Sequence, residues 1–426
     1  MTRDSVLIFG GDGYIGWPLA LHLAWTTDRN VIVADNLVTR RLVSSVGSDS
    51  LVPILSPSAR VAAYERASGK TNLTFLEMDA RDPRQVDHVI SKFAPETIVH
   101  LAQQRSAPFS MVDQEHALYT QVNNIVTNMN ILFSMCRRVP RAHLLKMGSM
   151  GEYGTPNIEI AEGPVEMSKD GRKHVAMFPR TGQSWYHLSK IFDTYNVMMA
   201  NKIDGVKATD VMQGVVYGSK TSETDEAPLA TRFDFDSIWG TVINKYVVQA
   251  VVLNKLLLYG KGGQTRGFLS LYDSVECLTL LLDNPPPEGE YRVVNQMDET
   301  YDTLALAKKV QRVAGEFGYE VGSERVPNPR VESEEHFYKV EHKILPSLGF
   351  KRAKDIDDVI REIFETVIGN RERAVKMKSL LTPSVTWAGK KGITSDLFPL
   401  PREVADWSSW QELAEFARDR SSSDLR

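Results

Sequence analysis

A chain of 426 residues is too long for one minimal hydrophobic core and suits two packed lobes. Its composition, 42% hydrophobic and 24% charged, is that of a soluble globular protein, and a net charge of −4 gives no reason to expect nucleic acid as a partner. Cys136 and Cys277 lie in apolar stretches and read as reduced core residues; with no signal-peptide pattern and no apolar run of ~18 residues, a cytoplasmic setting without membrane insertion is expected.

In chain order, residues 6–9, 31–34, 73–76, 97–99 and 143–145 are short apolar runs of the kind that fills a parallel sheet buried on both faces. Helical patterns at 17–25, 84–93 and 123–137 alternate with them, and residues 208–216 fit as a further strand of the same sheet. The expected fold is therefore α/β: a Rossmann-type doubly wound parallel sheet with a smaller, interleaved C-terminal lobe. Residues 1–218 form the first domain, with an insertion at 38–70 that is long enough to be functional or a lid. Residues 219–400 form mainly the second, with 240–255 and 268–295 returning to the first. The polar, then aromatic stretch 219–240 (Phe233, Phe235, Trp239) reads as a loop over a pocket. Residues 401–426 are an extension with an amphipathic stretch at 407–416 and a disordered end.

The first strand leads into Gly10-Gly11-Asp12-Gly13-Tyr14-Ile15-Gly16, whose glycine spacing permits a tight turn and close approach of a pyrophosphate to a helix N-terminus. Asp35 ends the second strand, 19 residues after Gly16, where a carboxylate accepts from a ribose 2′-hydroxyl and favours NAD over NADP. Asn36 and Arg40 follow it, and with Arg41 the basic side chains argue the other way. Asp79, followed by Ala80, ends the third strand and is a candidate for the adenine amino group or for a helix N-cap. Tyr186 and Lys190 share one helix face, so an ammonium there would lower the phenol and make Tyr186 a general base for an alcohol. Ser149, just beyond the strand at 143–145, would lie at the carboxyl edge of the sheet, where ligands bind.

A glycine-rich first turn, a strand-end serine and a Tyr-x3-Lys helix in this order resemble the extended short-chain dehydrogenase/reductase family over residues 5–295. His100-Leu101-Ala102 and Asn124 match its pattern as well. That resemblance implies a Ser149–Tyr186–Lys190 catalytic set, an NAD held throughout turnover by residues including Gly10, Gly13, Tyr14, Ile15, Gly16, Leu101, Asn124 and Gln213, and a homodimer formed through a helix pair that includes the Tyr186 helix.

The segments QRSAPFSM (104–111), GEYGTPN (151–157), QGVVYG (213–218), YGKGGQTRG (259–267) and VPNPRVE (326–332) are similar to the sulfosugar-forming branch of that family. This closer resemblance implies UDP-glucose and sulfite as substrates, a 4-keto sugar and a 5,6-ene as intermediates, and NAD reduced and reoxidised in each turnover. The reaction class expected from it is carbon–sulfur bond formation, grouped with the hydrolases. A UDP-sugar 4-epimerase or 4,6-dehydratase is the alternative. Arg266 and Arg330 match positions that clamp the UDP phosphates, unless they serve in structural ion pairs. Gln213, Thr241, Gln264 and Glu332 complete the expected substrate contacts. Arg105 is the candidate for the sulfite charge or for loop structure. Met150 and Gly151 stand where ordinary dehydratases carry an Asp-Glu acid–base pair, so His187, with a titration near neutrality, and Glu152 are the candidates for that chemistry.

Overall fold

The structure, a computed structural model, describes residues 4–332, 337–387 and 400–401. The central sheet has seven strands, all parallel. From edge to edge they are Tyr291–Gln296, Lys207–Gln213, His143–Met147, Thr97–His100, Ser5–Phe9, Asn30–Asp35 and Leu73–Glu77. The apolar runs explain the order's interior: Val6–Phe9, Val31–Ala34 and Ile98–Val99 are all buried, covered by helices on both faces. Each such side chain contributes ~1.5–3 kcal/mol of burial free energy. This is the doubly wound fold expected above.

The expected single strand at 208–216 breaks at Gly214. Lys207–Gln213 stays in the large sheet, whereas Val215–Tyr217 pairs in parallel with Thr265–Ser270, which pairs antiparallel with Glu299–Asp302. The chain thus crosses from the first lobe to the floor of the second within one residue. The helix expected at 123–137 runs from Gln114 to Arg138, starting nine residues earlier under an Asp113 cap that accepts from His116 N at 2.9 Å. Its first turns bury His116, Tyr119 and Thr120, polar side chains that hide the apolar period.

The helix Val242–Leu253, expected to return to the first domain, instead packs with Thr303–Glu316 and Ile356–Gly369 around Phe233 and Phe235 in the second lobe. These two aromatics belong to a core rather than to a loop over a pocket; Trp239 alone of the three borders the cleft. The insertion at 38–70 is not a lid. It forms two helices, Val38–Ser45 and Pro57–Ser68, that bury Arg60 and Tyr64 completely against the first lobe. Its connecting stretch joins the second lobe: Leu51 enters that core and its N–H donates to Phe233 O at 2.9 Å. Arg373 donates to Leu51 O, Ser50 O and Asp49 from the other side. The amphipathic stretch at 407–416 and the disordered end lie outside the described residues.

Candidate active site

A cleft of about 370 Å³ runs along the carboxyl edge of the sheet between the lobes and continues into a smaller groove over the second and third strands. Gly10, Gly13, Leu101, Gln103, Arg105 and Trp239 border both, so the two form one channel. Gly10 has φ +81°, and a Cβ there would stand 2.5 Å from the Leu101 carbonyl carbon. The glycine turn therefore lies flat against the next loop, leaving backbone N–H groups and the start of the Gly16–Thr26 helix facing the channel.

At the groove end lie Asp35, Asn36, Asp79 and Ala80. Asp35 accepts from Asp12 N at 3.0 Å and Leu37 N at 2.7 Å; burial, then the neighbouring Asp12 charge, raises its pKa to about 6. Asp79 is paired with Arg81 at 2.8 Å, while Asp82 caps the helix Pro83–Phe93, which removes the capping alternative for Asp79. Arg40 does not border the groove. Its guanidinium forks Asp12 with two contacts of 2.7 Å, alongside a second, fully buried pair from Arg60. The Arg40 share of the basic charge that argued for a 2′-phosphate is thus already spent on the acid inside the glycine turn, while Arg41 is exposed and donates to Asn36 O at 3.0 Å. Asn124 is likewise away from the channel: it bonds Gln104 N and O and Ser189 Oγ, tying the loop after the fourth strand to the Tyr186 helix.

The central cleft brings together Tyr14, Ile15, Ser149, Tyr186, His187, Lys190 and Gln213. Ser149 ends the fifth strand and caps a short turn, its Oγ accepting from Gly151 N at 3.1 Å. Tyr186 and Lys190 lie one turn apart on the helix Trp185–Asp204, which Ser184 caps. The Ser149 hydroxyl acts to lower the Tyr186 phenol, but burial and the Glu152 charge outweigh it and hold that phenol above its ordinary value, so the expected lowering is not met in the protein alone. Burial, then repulsion by Lys146, brings Lys190 down to about 8.

His187 does not titrate near neutrality. Burial, reinforced by Arg330 and Arg266, pushes it down to about 3, and its Nδ1 lies 3.0 Å from Ser184 Oγ. A Cβ at Gly151 would collide with the His187 ring, so the imidazole fills the space that a side chain at 151 would need. Glu152 does not border the cleft. It is fully buried behind Ser149, accepting from Ser149 N and Thr194 Oγ1 at 3.0 Å, with Lys146 at 3.5 Å and Arg180 at 3.9 Å. It is a strut for Ser149, not a group that can reach a sugar.

Thr241, Gln264, Arg266, Arg330 and Glu332 also border the cleft, as does Arg105 where the cleft joins the groove. Arg266 meets Glu332 at 2.5 Å, Arg330 stacks 5.0 Å from the Trp387 ring centre, and Arg105 pairs with Asp234 and donates to Trp239 O. Three guanidiniums against two carboxylates leave the cleft suited to anions. The Thr241 hydroxyl is buried there without a hydrogen-bond partner among the described residues. The loop from Gln103 to Met111, expected to line the sugar site, does border the cleft through Gln103 and residues 105–108, but sequence reasoning missed the contact of Gln103 with Lys190, as well as Asp193, Lys146 and Asp210 around it and Trp387 at the outer end. Asp193, three residues after Lys190 and so on nearly the same helix face, was the one such signal available.

Residues 6–295 match the model of the NAD dependent epimerase/dehydratase family. The chain is 43% identical over 383 residues to UDP-sulfoquinovose synthase of Sulfolobus acidocaldarius, covering 90% of this chain and 97% of that protein. It is 42% identical over 386 residues to the chloroplastic UDP-sulfoquinovose synthase of Spinacia oleracea, covering 90% and 79%. Among solved structures, UDP-glucose 4-epimerase from Bifidobacterium longum in complex with NAD+ and UDP matches with a TM-score of 0.65 at 19% identity, covering 87% of this chain and all of that one. The hydrolase grouping expected above is overturned: the matching family is one of epimerases and dehydratases, and the similar proteins are synthases.

Proposed function

The chain belongs to the NAD dependent epimerase/dehydratase family, and from that premise we propose that it converts UDP-glucose and sulfite to UDP-sulfoquinovose. The observation that carries this is an intact Ser149, Tyr186 and Lys190 set sharing one cleft with Arg105, Arg266 and Arg330, in a chain 43% identical to a synthase of that product.

NAD, the family's cofactor, supplies the hydride acceptor and donor for the sugar's C4. The channel fits it: the flat glycine turn of Gly10, Gly13 and Gly16 suits a pyrophosphate, and Asp35, Asn36, Asp79 and Ala80 suit the adenosine end. Ser149 orients the C4 hydroxyl and Tyr186 takes its proton. The Lys190 charge beside the ring offsets the phenolate that forms. The 4-ketone acidifies C5–H, and His187, a neutral imidazole at cleft pH, is placed in the cleft to accept that proton. The C6 hydroxyl leaves as water with the proton that His187 has taken, the sulfur lone pair of hydrogensulfite forms the C6–S bond while its proton passes through His187 to C5, and with the cofactor bound the C4 hydrogen would be restored together with a proton from Tyr186, leaving no net redox change. Arg105 carries the sulfite charge. Arg266 and Arg330 clamp the diphosphate, with Gln213, Thr241, Gln264 and Glu332 as further contacts.

The exposed apolar side chains of Phe192, Tyr195, Met199 and Ile203 form a stripe on the Tyr186 helix, beside Leu118 and Phe133 on the helix Gln114–Arg138. This face supports a homodimer built on the helix pair. Among the described residues no helix is long and apolar enough to cross a membrane, and we place the activity in the cytoplasm.

The test is mass spectrometry of the product from UDP-glucose with and without sulfite. A sulfite-dependent UDP sugar bearing a C6 sulfonate is expected. A sulfite-independent epimer or dehydrated sugar would instead make the protein a UDP-sugar 4-epimerase or 4,6-dehydratase.

A further inference from the structure

Lys190 is held from a side that the reaction above does not use. Its Nζ donates to Met147 O at 2.7 Å and to Gln103 Oε1, and Gln103 Nε2 donates in turn to Asp193 Oδ2. An ammonium only donates and a carboxylate only accepts, so this amide has one workable orientation, fixed by the groups at its two ends. Asp193 is fully buried, and its Oδ1 has no hydrogen-bond partner among the described residues. A buried carboxylate left half-satisfied is costly, and packing alone would favour an apolar side chain there.

We propose that Asp193 and Gln103 are positioning residues for Lys190: the carboxylate supplies its counter-charge, and the amide carries that charge across and sets the direction in which the ammonium faces Tyr186. The proposal rests on the reading of Tyr186 and Lys190 as catalytic. The groups facing Lys190 come from every neighbouring element. Lys146 lies on the fifth strand, Glu152 on the turn after it, Asp210 on Lys207–Gln213, and His100 on the fourth strand. Tyr186 and Asp193 share its own helix. His100 is kept neutral by burial. Glu152 and Asp210 are engaged by Lys146, at 3.5 and 3.0 Å, and by Thr194. Asp193 instead reaches Lys190 through a single side chain. Burial and Lys146 act to discharge Lys190, and Asp193 opposes them, itself raised by burial to about 7.

The experiment reads the charge of Lys190 directly, by competitive amine labelling of the full-length protein across pH with mass spectrometry of the Lys190 peptide. Removing a counter-charge stabilises the neutral amine, so Asp193→Asn lowers the pH of half-labelling by about one unit. The alkaline limb of the kcat–pH profile moves down with it, while KM for UDP-glucose stays within about twofold. Gln103→Leu, which cuts the bridge and leaves Asp193 in place, shifts the half-point in the same direction. Adding Gln103→Glu to Asp193→Asn returns the charge to the other end of the bridge and restores the half-point. An unmoved half-point in Asp193→Asn or Gln103→Leu, or a double variant that stays shifted, overturns the proposal. If Asp193→Asn does not fold, the Gln103→Leu measurement decides the question. Labelling is independent of turnover, so a wild-type protein that forms no sulfonated sugar would sink the proposed function without altering this readout.

Discussion

Replacing Glu152 with Gln separates a strut from an acid–base catalyst. Glu152 is fully buried, pins Ser149 N and Thr194 Oγ1, and shares Lys146 with Asp210. Breaking a buried ion pair costs ~3–5 kcal/mol. In Glu152→Gln the amide oxygen can still accept from Ser149 N, and Asp210 stays 3.0 Å from Lys146, so the lower end applies, about 3 kcal/mol. At ~1 °C per kcal/mol for a chain of 426 residues, the melting temperature falls by roughly 3 °C. Because Ser149 loses part of its support, kcat falls with it at every pH, and the pH profile keeps its shape. Thermal melts and a kcat–pH series on the same preparation check both statements. A variant that melts like the wild type yet loses one limb of the profile would refute the reasoning and return Glu152 to the chemistry.

Tyr186→Phe removes the phenol that shares the cleft with Ser149 and keeps the ring, so activity falls ~10²–10⁴-fold at an unchanged melting temperature; near-wild-type turnover would exclude Tyr186 as the base. Gly10→Ala puts a methyl against the Leu101 backbone at positive φ, and the purified protein is expected to carry much less NAD, measured by absorbance of the released dinucleotide. His143 is held near 3 by burial, Arg292 and Lys207, below its ordinary 6.5. Its contribution to stability is therefore complete above pH 6.5 and is lost as pH falls toward 3. His143→Gln should flatten the melting temperature against pH in that window, and a curve parallel to wild type would contradict this. Phe192→Glu places a charge in the exposed apolar stripe and is expected to halve the mass seen by light scattering, with each chain still folded.

The parallel sheet was legible because its strands are buried on both faces, so Val6–Phe9 or Val31–Ala34 announce themselves without any partner in view. The glycine turn, Ser149, Tyr186 and Lys190 were legible because backbone approach and proton transfer each demand particular residue types at fixed places. What could not be read is what depends on distant pairing. Arg40 looked like a cofactor contact until Asp12 and the insertion were seen to claim it. Glu152 and His187 looked alike as acid–base candidates, and only burial separates the one behind Ser149 from the one in the cleft. Lys146 and Asp210 gave no chemical signal because an isolated charge in a strand reads as solvated until the chain folds over it.

The stretch 48–51 is sewn to the second lobe by Ser48 on Asp236, Leu51 on Phe233 and Arg373 on Ser50 and Leu51, while Arg40 and Arg60 of the same insertion grip the glycine turn of the first. One insertion thus holds both halves beside the dinucleotide groove, while Trp387 borders the other end of the cleft. An enzyme that must hand back the hydride it has taken has to keep its dinucleotide longer than its sugar, and an insertion fastened to both halves is a device suited to that difference in lifetimes.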